Sequence, residues 1–291
     1  MLTITTAQLE AYRAQTFCLR PELRLRAVKQ ALDYVNARGF IFFWPIKDAL
    51  LPSLWTAVAG DRPVADQHDD PGHVTWGWKD EMLARKQWYY AKVLRGKATL
   101  ISLAVAPYFY ALSENFGDPQ QDYLDQYAAG LLSREAKQVY EALLREGPLD
   151  TVRLRRVTQM ASKAGASPFG RALTQLQRDF KILPVGVAQA GAWRYSFIYA
   201  PVHHHFPHLP QQARAITRGA ARQELARRYF ASVGAATVAD LRRLFQWKPR
   251  EAETAVQTCL ANGTLIACGV DGVAATCYAV PDAALLAENL A

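Results

Sequence analysis

Acidic and histidine side chains able to move a proton crowd one short stretch, Ala65-Asp66-Gln67-His68-Asp69-Asp70-Pro71-Gly72-His73, followed by Trp76, Trp78, Lys79, Asp80 and Glu81. Adjacent carboxyls push one another's pKa values apart, which separates general-acid from general-base roles, and an imidazole titrates near neutrality. Asp69 and Asp70 are therefore the candidate catalytic residues. The same letters also spell an ordinary turn, in which Asp caps the backbone and Pro-Gly reverses it, and a metal site is a third reading.

A second set of residues suits binding. The 291-residue chain carries 34 Lys+Arg against 26 Asp+Glu, a net charge of +8. Residues 1–130 balance 14 basic with 14 acidic side chains, residues 131–250 hold 20 against 7, and residues 251–291 hold none against 5. Of the basic residues 24 are Arg, whose planar fork suits phosphate. A polyanion partner follows from that concentration, with a merely solvated basic face as the alternative. The candidate DNA contacts are Arg153, Arg155 and Arg156 on one helix and Arg171, Gln175 and Arg178 at i, i+4, i+7 on the next. Arg242, Arg243, Lys248 and Arg250 cluster later, where free N–H groups at a helix start also attract phosphate. Arg214, Arg218 and Arg222 make a further stripe at intervals of four.

Ten aromatic residues from Phe40 to Tyr90, Phe42 and Trp44 among them, fall within 51 positions. Most must be core, because a unit this small needs large side chains to bury enough area. A minority could stack on an extruded base, at about 1–3 kcal/mol per base. Trp76 and Trp78, flanking Gly77 in a polar loop, are the stacking candidates.

Other classes are excluded. No apolar run approaches the ~20 residues that cross a bilayer. The first residues lack a basic segment, apolar core and cleavage site, so a cytoplasmic, nucleoid-associated location is expected. The sequence has no Walker loop, no GxGxxG after a strand, no HExxH and no GxSxG, so no cofactor is expected. His203-His204-His205 and His208 are separated by prolines that prevent a helix aligning His204 with His208, so no metal is assigned. Cys259, Cys268 and Cys277 are read as structural thiols. With Asp271-Gly272 as a two-residue turn, Cys268 would face Ala275 and Ile266 would face Cys277.

The elements that must position these residues show a recurring order. SREAKQVYEALLREGPLDT is a helix, TVRLRRVTQM a second, SPFGRALTQLQRDF a third, and KILPVGVAQAGAWRYSFIY a hairpin. After position 220 the order returns in ARQELARRYFASVG, ATVADLRRLF, KPREAETAVQTCLANG and TLIACGVDGVAATCYAV. This is the order of a winged helix-turn-helix unit. The N-terminal part is compatible with a third, diverged unit: helices near 6–17, 22–37 and 79–95, an apolar run at 39–46, a strand pair from Ala98 to Tyr110 and a connection from Ser113 to Tyr127. The expected fold class is α+β, about three tandem winged helix-turn-helix units with β-hairpin wings, divided as 1–130, 131–210 and 211–291.

The segment ARQELARRYFASVGAATVADLRRLF with its third helix and DG hairpin resembles the C-terminal unit of the tandem winged-helix DNA glycosylases of the AlkZ and YcaQ type. GHVTWGWKDEMLARKQWYYAKVLRGKATLI is similar to that family's Trp-containing entry into a helix before a wing. The resemblance implies winged helices acting in repair of alkylated or crosslinked bases. It also exposes a departure: the family's Gln-x-Gln or Gln-x-Asp pair, thought to activate the attacking water, matches Phe42 and Trp44 here. Neither side chain accepts a proton. Two functions follow: a repair-associated glycosylase-like protein on double-stranded DNA, damaged or intact, with an altered active site, or a non-catalytic regulator or damage sensor. Enzymatic activity and oligomeric state are left open.

Overall fold

The computed structural model describes residues 2–191 and 194–281. β1 (Leu2–Ile4) leads into α1 (Thr6–Thr16), which starts at Thr5 because the Thr5 hydroxyl accepts the Gln8 N–H while the Gln8 side chain accepts the Thr5 N–H. α2 (Val28–Arg38) stops at Gly39, whose φ of 84° suits glycine, and the apolar run after it is β2 (Phe40–Phe42). α3 (Leu54–Ala59) and α4 (Val74–Ala84) flank the acidic turn. β3 (Tyr89–Lys92) pairs antiparallel with β4 (Ala98–Ile101), and α5 (Ala106–Tyr110) and α6 (Asp122–Ala128) follow.

The first repeat predicted from sequence comprises α7 (Arg134–Glu146), β5 (Leu149–Asp150), α8 (Thr151–Val157), α9 (Ala166–Arg178), β6 (Ile182–Ala188) and β7 (Ser196–Pro201). Two short helices, α10 (Val202–His205) and α11 (Leu209–Arg214), connect to the second repeat. That repeat comprises α12 (Arg218–Val233), β8 (Ala235–Ala236), α13 (Val238–Phe245), α14 (Pro249–Ala261), β9 (Ile266–Val270) and β10 (Val273–Ala279). Mixed helices and small sheets are thus the observed class.

Residues 79–217 form one compact unit and the residues on either side of them the other. In the 79–217 unit the strand order is β5-β7-β6, with Leu149 opposite Tyr199 and Ile182 opposite Pro201. Val139, Leu143, Leu154, Leu176 and Ile182 are buried together beneath it, the apolar faces that the helical spacing predicts. In the other unit the order is β1-β9-β10-β8, with β1 running parallel to β9. Ile4, Ala235, Cys268, Cys277 and Ala279 belong to one buried cluster there.

Gly234 ends α12 at φ +82°, and a Cβ built on it would lie 2.8 Å from Tyr12 and 2.9 Å from Leu9. Gly234→Ala therefore meets both backbone strain and a packed wall. The expected loss is about 1–3 kcal/mol, read from the urea midpoint.

Several sequence expectations need correction. The helix expected at 79–95 runs from Val74 to Ala84, so Trp76-Gly77-Trp78 lies on a helix instead of a polar loop. The strand pair expected from Ala98 to Tyr110 is instead β3 with β4, and Ala106–Tyr110 is helical. The 22–37 helix begins only at Val28, because Pro21 starts a separate 3-10 turn. The Ser113–Tyr127 connection contains α6. Arg214 and Arg218 sit on different helices, which breaks the 214–218–222 stripe. In the last hairpin a register shift between Val273 and Cys277 brings Cys277 opposite Cys268 and Ala279 opposite Ile266. All four cysteines are buried free thiols.

Candidate functional site

Phe42 closes a strand whose three residues are all buried. Trp44 follows it, with ring centroids 5.2 Å from Phe43 and 5.5 Å from Trp76. Phe43 and Trp76 meet edge to face at 6.1 Å. The Trp44 indole Nε1 is buried without a hydrogen-bond partner among the described residues. An indole can only donate, so this cluster has no side chain with which to deprotonate a water. Two residues along a helix turn by about 200°, which separates Trp76 from Trp78. Trp76 is half-buried in the aromatic cluster, and Trp78 is 9% exposed and belongs to the core.

Asp70 is engaged in its own turn. Its Oδ1 accepts the Gly72 N–H at 2.8 Å, and Arg62 grips both carboxylate oxygens at 2.5 and 3.0 Å. The Arg62 guanidinium also lies 4.9 Å from the Trp55 ring centroid. His73 donates through Nε2 to the Ala65 carbonyl at 2.9 Å and packs 5.2 Å from Trp55. Asp69 is exposed and makes no hydrogen bond or ion pair among the described residues. Arg62 first, and the Gly72 N–H second, hold the Asp70 carboxyl below the usual range. A carboxyl with a lowered folded pKa adds stability that is present above its unfolded value of about 3.9 and is lost as pH falls toward the folded one. Asp70→Asn is thus expected to flatten the acid limb of the unfolding midpoint below about pH 5. A series of urea midpoints against pH, wild type beside variant, checks it.

A buried polar cluster lies further along α4. Lys79 is 1% exposed, and its Nζ donates to Asp80 Oδ1 at 2.5 Å and to the Tyr195 hydroxyl at 2.6 Å. Tyr195 in turn donates to the same Asp80 oxygen at 3.1 Å. The rings of Phe197, Tyr195 and Tyr90 surround the ammonium at 4.4, 5.4 and 5.5 Å. Burial pulls the Lys79 pKa down, and the Asp80 carboxylate opposes that shift. Burial first, and the neighbouring Asp80 charge second, push the Tyr195 phenol up. The Asp80 carboxylate is only partly buried, and its Oδ2 accepts no hydrogen bond among the described residues. Tyr195 also lines a cavity of about 350 Å³ with Phe197, Arg155, Thr151 and Ser196. Lys79 and Asp80 stood in the proton-moving stretch of the sequence. Tyr195, more than a hundred residues away, carried no signal.

The basic residues divide into two groups. Arg155 donates to the carbonyls of Met160, Ala161 and Ser162, fastening the loop that follows its helix. Gln175 binds Ser133 and the Leu131 carbonyl, Arg171 binds Ser167, and Arg178 pairs with Asp179. Arg153 reaches Glu146 at 3.4 Å and Arg243 reaches Asp240 at 3.4 Å, both exposed contacts. Arg156, Arg242, Lys248 and Arg250 are exposed, and their side chains make no hydrogen bond or ion pair among the described residues. Three of these four flank the turn from α13 into α14, whose N-terminus carries Pro249.

The histidine segment does not converge. His203–His205 lie on α10, which ends at Phe206 before His208. Burial and neighbouring cations hold His203 and His205 down to about 4, so both are neutral at pH 7. No group of three or more His, Cys, Asp or Glu is placed to hold a metal ion among the described residues. No helix among them is long and apolar enough to cross a membrane.

Comparison with known proteins adds two matches. The AlkZ-related family model matches residues 25–246. A solved structure of the Streptomyces sahachiroi DNA glycosylase AlkZ has the same fold, with a TM-score of 0.61 at 14% identity over 99% of this chain and 72% of that one. No curated protein matches the chain.

Proposed function

The chain belongs to the AlkZ-related family, and on that premise we propose that it is a DNA-binding protein of the repair-glycosylase type whose water-activating position has been rebuilt from aromatic side chains. The observation that carries this reading is the pair Phe42 and Trp44, one buried in a strand and the other packed between Phe43 and Trp76. With no acceptor there, the protein holds DNA and senses its state without the family's route to base release.

The repeats support tandem winged helices. In both α7–β7 and α12–β10 the first helix is followed by a short strand, two helices and a hairpin, and the short strand joins the hairpin's sheet. We divide the chain at 1–130, 131–210 and 211–291, with residues 1–130 as a diverged unit. Duplex DNA, damaged or intact, is the partner, bound mainly through its phosphates in the cytoplasm by Arg156, Arg242, Lys248 and Arg250.

A second reading keeps the enzyme and moves the water to another carboxylate. Asp80 favours it, since its Oδ2 is uncommitted beside a buried ammonium. Asp69 and Asp70 are the alternatives, and of these Asp70 is already held by Arg62.

Incubation with duplex carrying a labelled alkylated base or interstrand crosslink decides between the readings. Binding without release of free base is the expected result. Release that disappears in Asp80→Asn, Asp69→Asn or Asp70→Asn, with DNA binding retained, would establish the enzyme instead.

A further inference from the structure

We propose that the segment from Glu114 to Leu131 is a docking surface for a basic, amphipathic helix of another protein. Four of the eight exposed large apolar side chains among the described residues fall in it: Phe116 at 79%, Leu131 at 58%, Tyr127 at 41% and Leu124 at 37%. Leu124 and Tyr127, spaced i, i+3, share one side of α6, and Leu131 follows in the chain just beyond the left-handed Gly130 that ends the turn. Asp122, Tyr123 and Gln126 occupy the buried side. Large apolar groups gathered this way mark an interaction surface.

The exposure of Phe116 is built in. The N–H groups of Phe116 and Gly117 donate to Asp122 Oδ2 at 2.8 and 3.2 Å, and Asp122 itself is 6% exposed. Asn115 donates through Nδ2 to Ser113 Oγ and to the Asp179 carbonyl, both at 2.8 Å, and accepts from the buried Lys181 ammonium at 2.8 Å. Gln126 donates to the Glu114 carbonyl. A loop fastened at Asn115, Phe116 and Gly117 presents its phenyl ring with little ordering left to do on binding.

Charge selects the occupant. Residues 98–133 contain no Lys, Arg or His and expose the carboxylates of Glu114, Asp118 and Asp125, in a chain whose net charge is +8. Lys137 lies 5.2 Å from the Tyr127 ring but is paired with Glu141 at 2.8 Å. An acidic, apolar strip repels DNA phosphate and attracts a helix with apolar residues at i, i+3 or i+4 and i+7 flanked by Lys or Arg. The surface shares no residue with the proposed DNA contacts, and the proposal does not rest on them.

The test uses the full chain and a fluorescent synthetic 18-residue Leu/Lys amphipathic helix, with its Leu/Glu counterpart as control. The Leu/Lys helix is expected to bind with an affinity that falls as salt rises, and the Leu/Glu helix to stay free. Phe116→Ser combined with Leu131→Ser, both at exposed positions, is expected to weaken the Leu/Lys helix at least tenfold while duplex DNA affinity is unchanged. Absent binding, or equal binding by variant and wild type, overturns the proposal. A fall in DNA affinity in the variant would make Phe116 a DNA wedge instead. Concentration-dependent sedimentation of the wild type that the variant lacks would make the occupant a second copy of the chain. Either result also overturns the proposal.

Discussion

Lys79→Ala is expected to destabilise the 79–217 unit by about 3–5 kcal/mol, with an unfolding midpoint lower by roughly 10 °C. The cost comes from what is left behind. Lys79 is 1% exposed, and it is the ion-pair partner of Asp80, a hydrogen-bond donor to Tyr195 and the cation facing three rings. Removing it strands a partly buried carboxylate and opens a cavity among Tyr90, Tyr195 and Phe197. Tyr195→Phe is the calibrating variant. It removes one hydroxyl from the triangle and keeps the ring, so its cost should stay near 1 kcal/mol. Urea unfolding followed by circular dichroism compares the two. Equal effects would mean that the ring packing, and not the charge pairing, holds this part of the molecule.

The second large effect concerns DNA. Arg242→Ala, Lys248→Ala and Arg250→Ala together should lower duplex affinity at least tenfold near 0.1 M salt. They should also reduce the slope of log affinity against log salt by about 2.7, at about 0.9 per phosphate contact. These side chains make no hydrogen bond or ion pair among the described residues and surround the α13–α14 turn, so phosphate need not compete with an internal partner. Arg155 offers the contrast. Its guanidinium holds three backbone carbonyls, so Arg155→Ala should reduce stability and leave the salt slope nearly unchanged. Fluorescence anisotropy on the same duplex across a salt series measures both.

That contrast also marks where the sequence stops being informative. Arg171, Gln175 and Arg178 do share a helical spacing, as i, i+4, i+7 requires. What spacing could not reveal is that Gln175 is taken by Ser133 and Leu131, residues more than forty positions upstream. Caps and turns were legible because their chemistry is local. Thr237 begins α13, Pro249 begins α14, and Asp70 caps its turn as the Asp-Pro-Gly composition implies. The recurring order of three helices and a hairpin was legible for the same reason. The pairing of β1 with β9 was not, because three residues of strand carry little pattern and their partner lies at the far end of the chain. The register shift in the last hairpin was hidden as well, since the Asp-Gly turn fixes only the residues beside it. Trp76-Gly77-Trp78 misled for a different reason. Gly77 faces open space, so no packing demand accounts for a helix breaker inside α4.

The central claim is that this chain binds duplex DNA through phosphate contacts made by its exposed cations. Its most direct test is the equilibrium affinity of the wild-type protein for a duplex bearing an alkylated base, measured from about 50 to about 300 mM salt. The account predicts tight binding at low salt and a straight log–log decline steep enough for several phosphate contacts. No association at the lowest salt, or an affinity indifferent to salt, would contradict it.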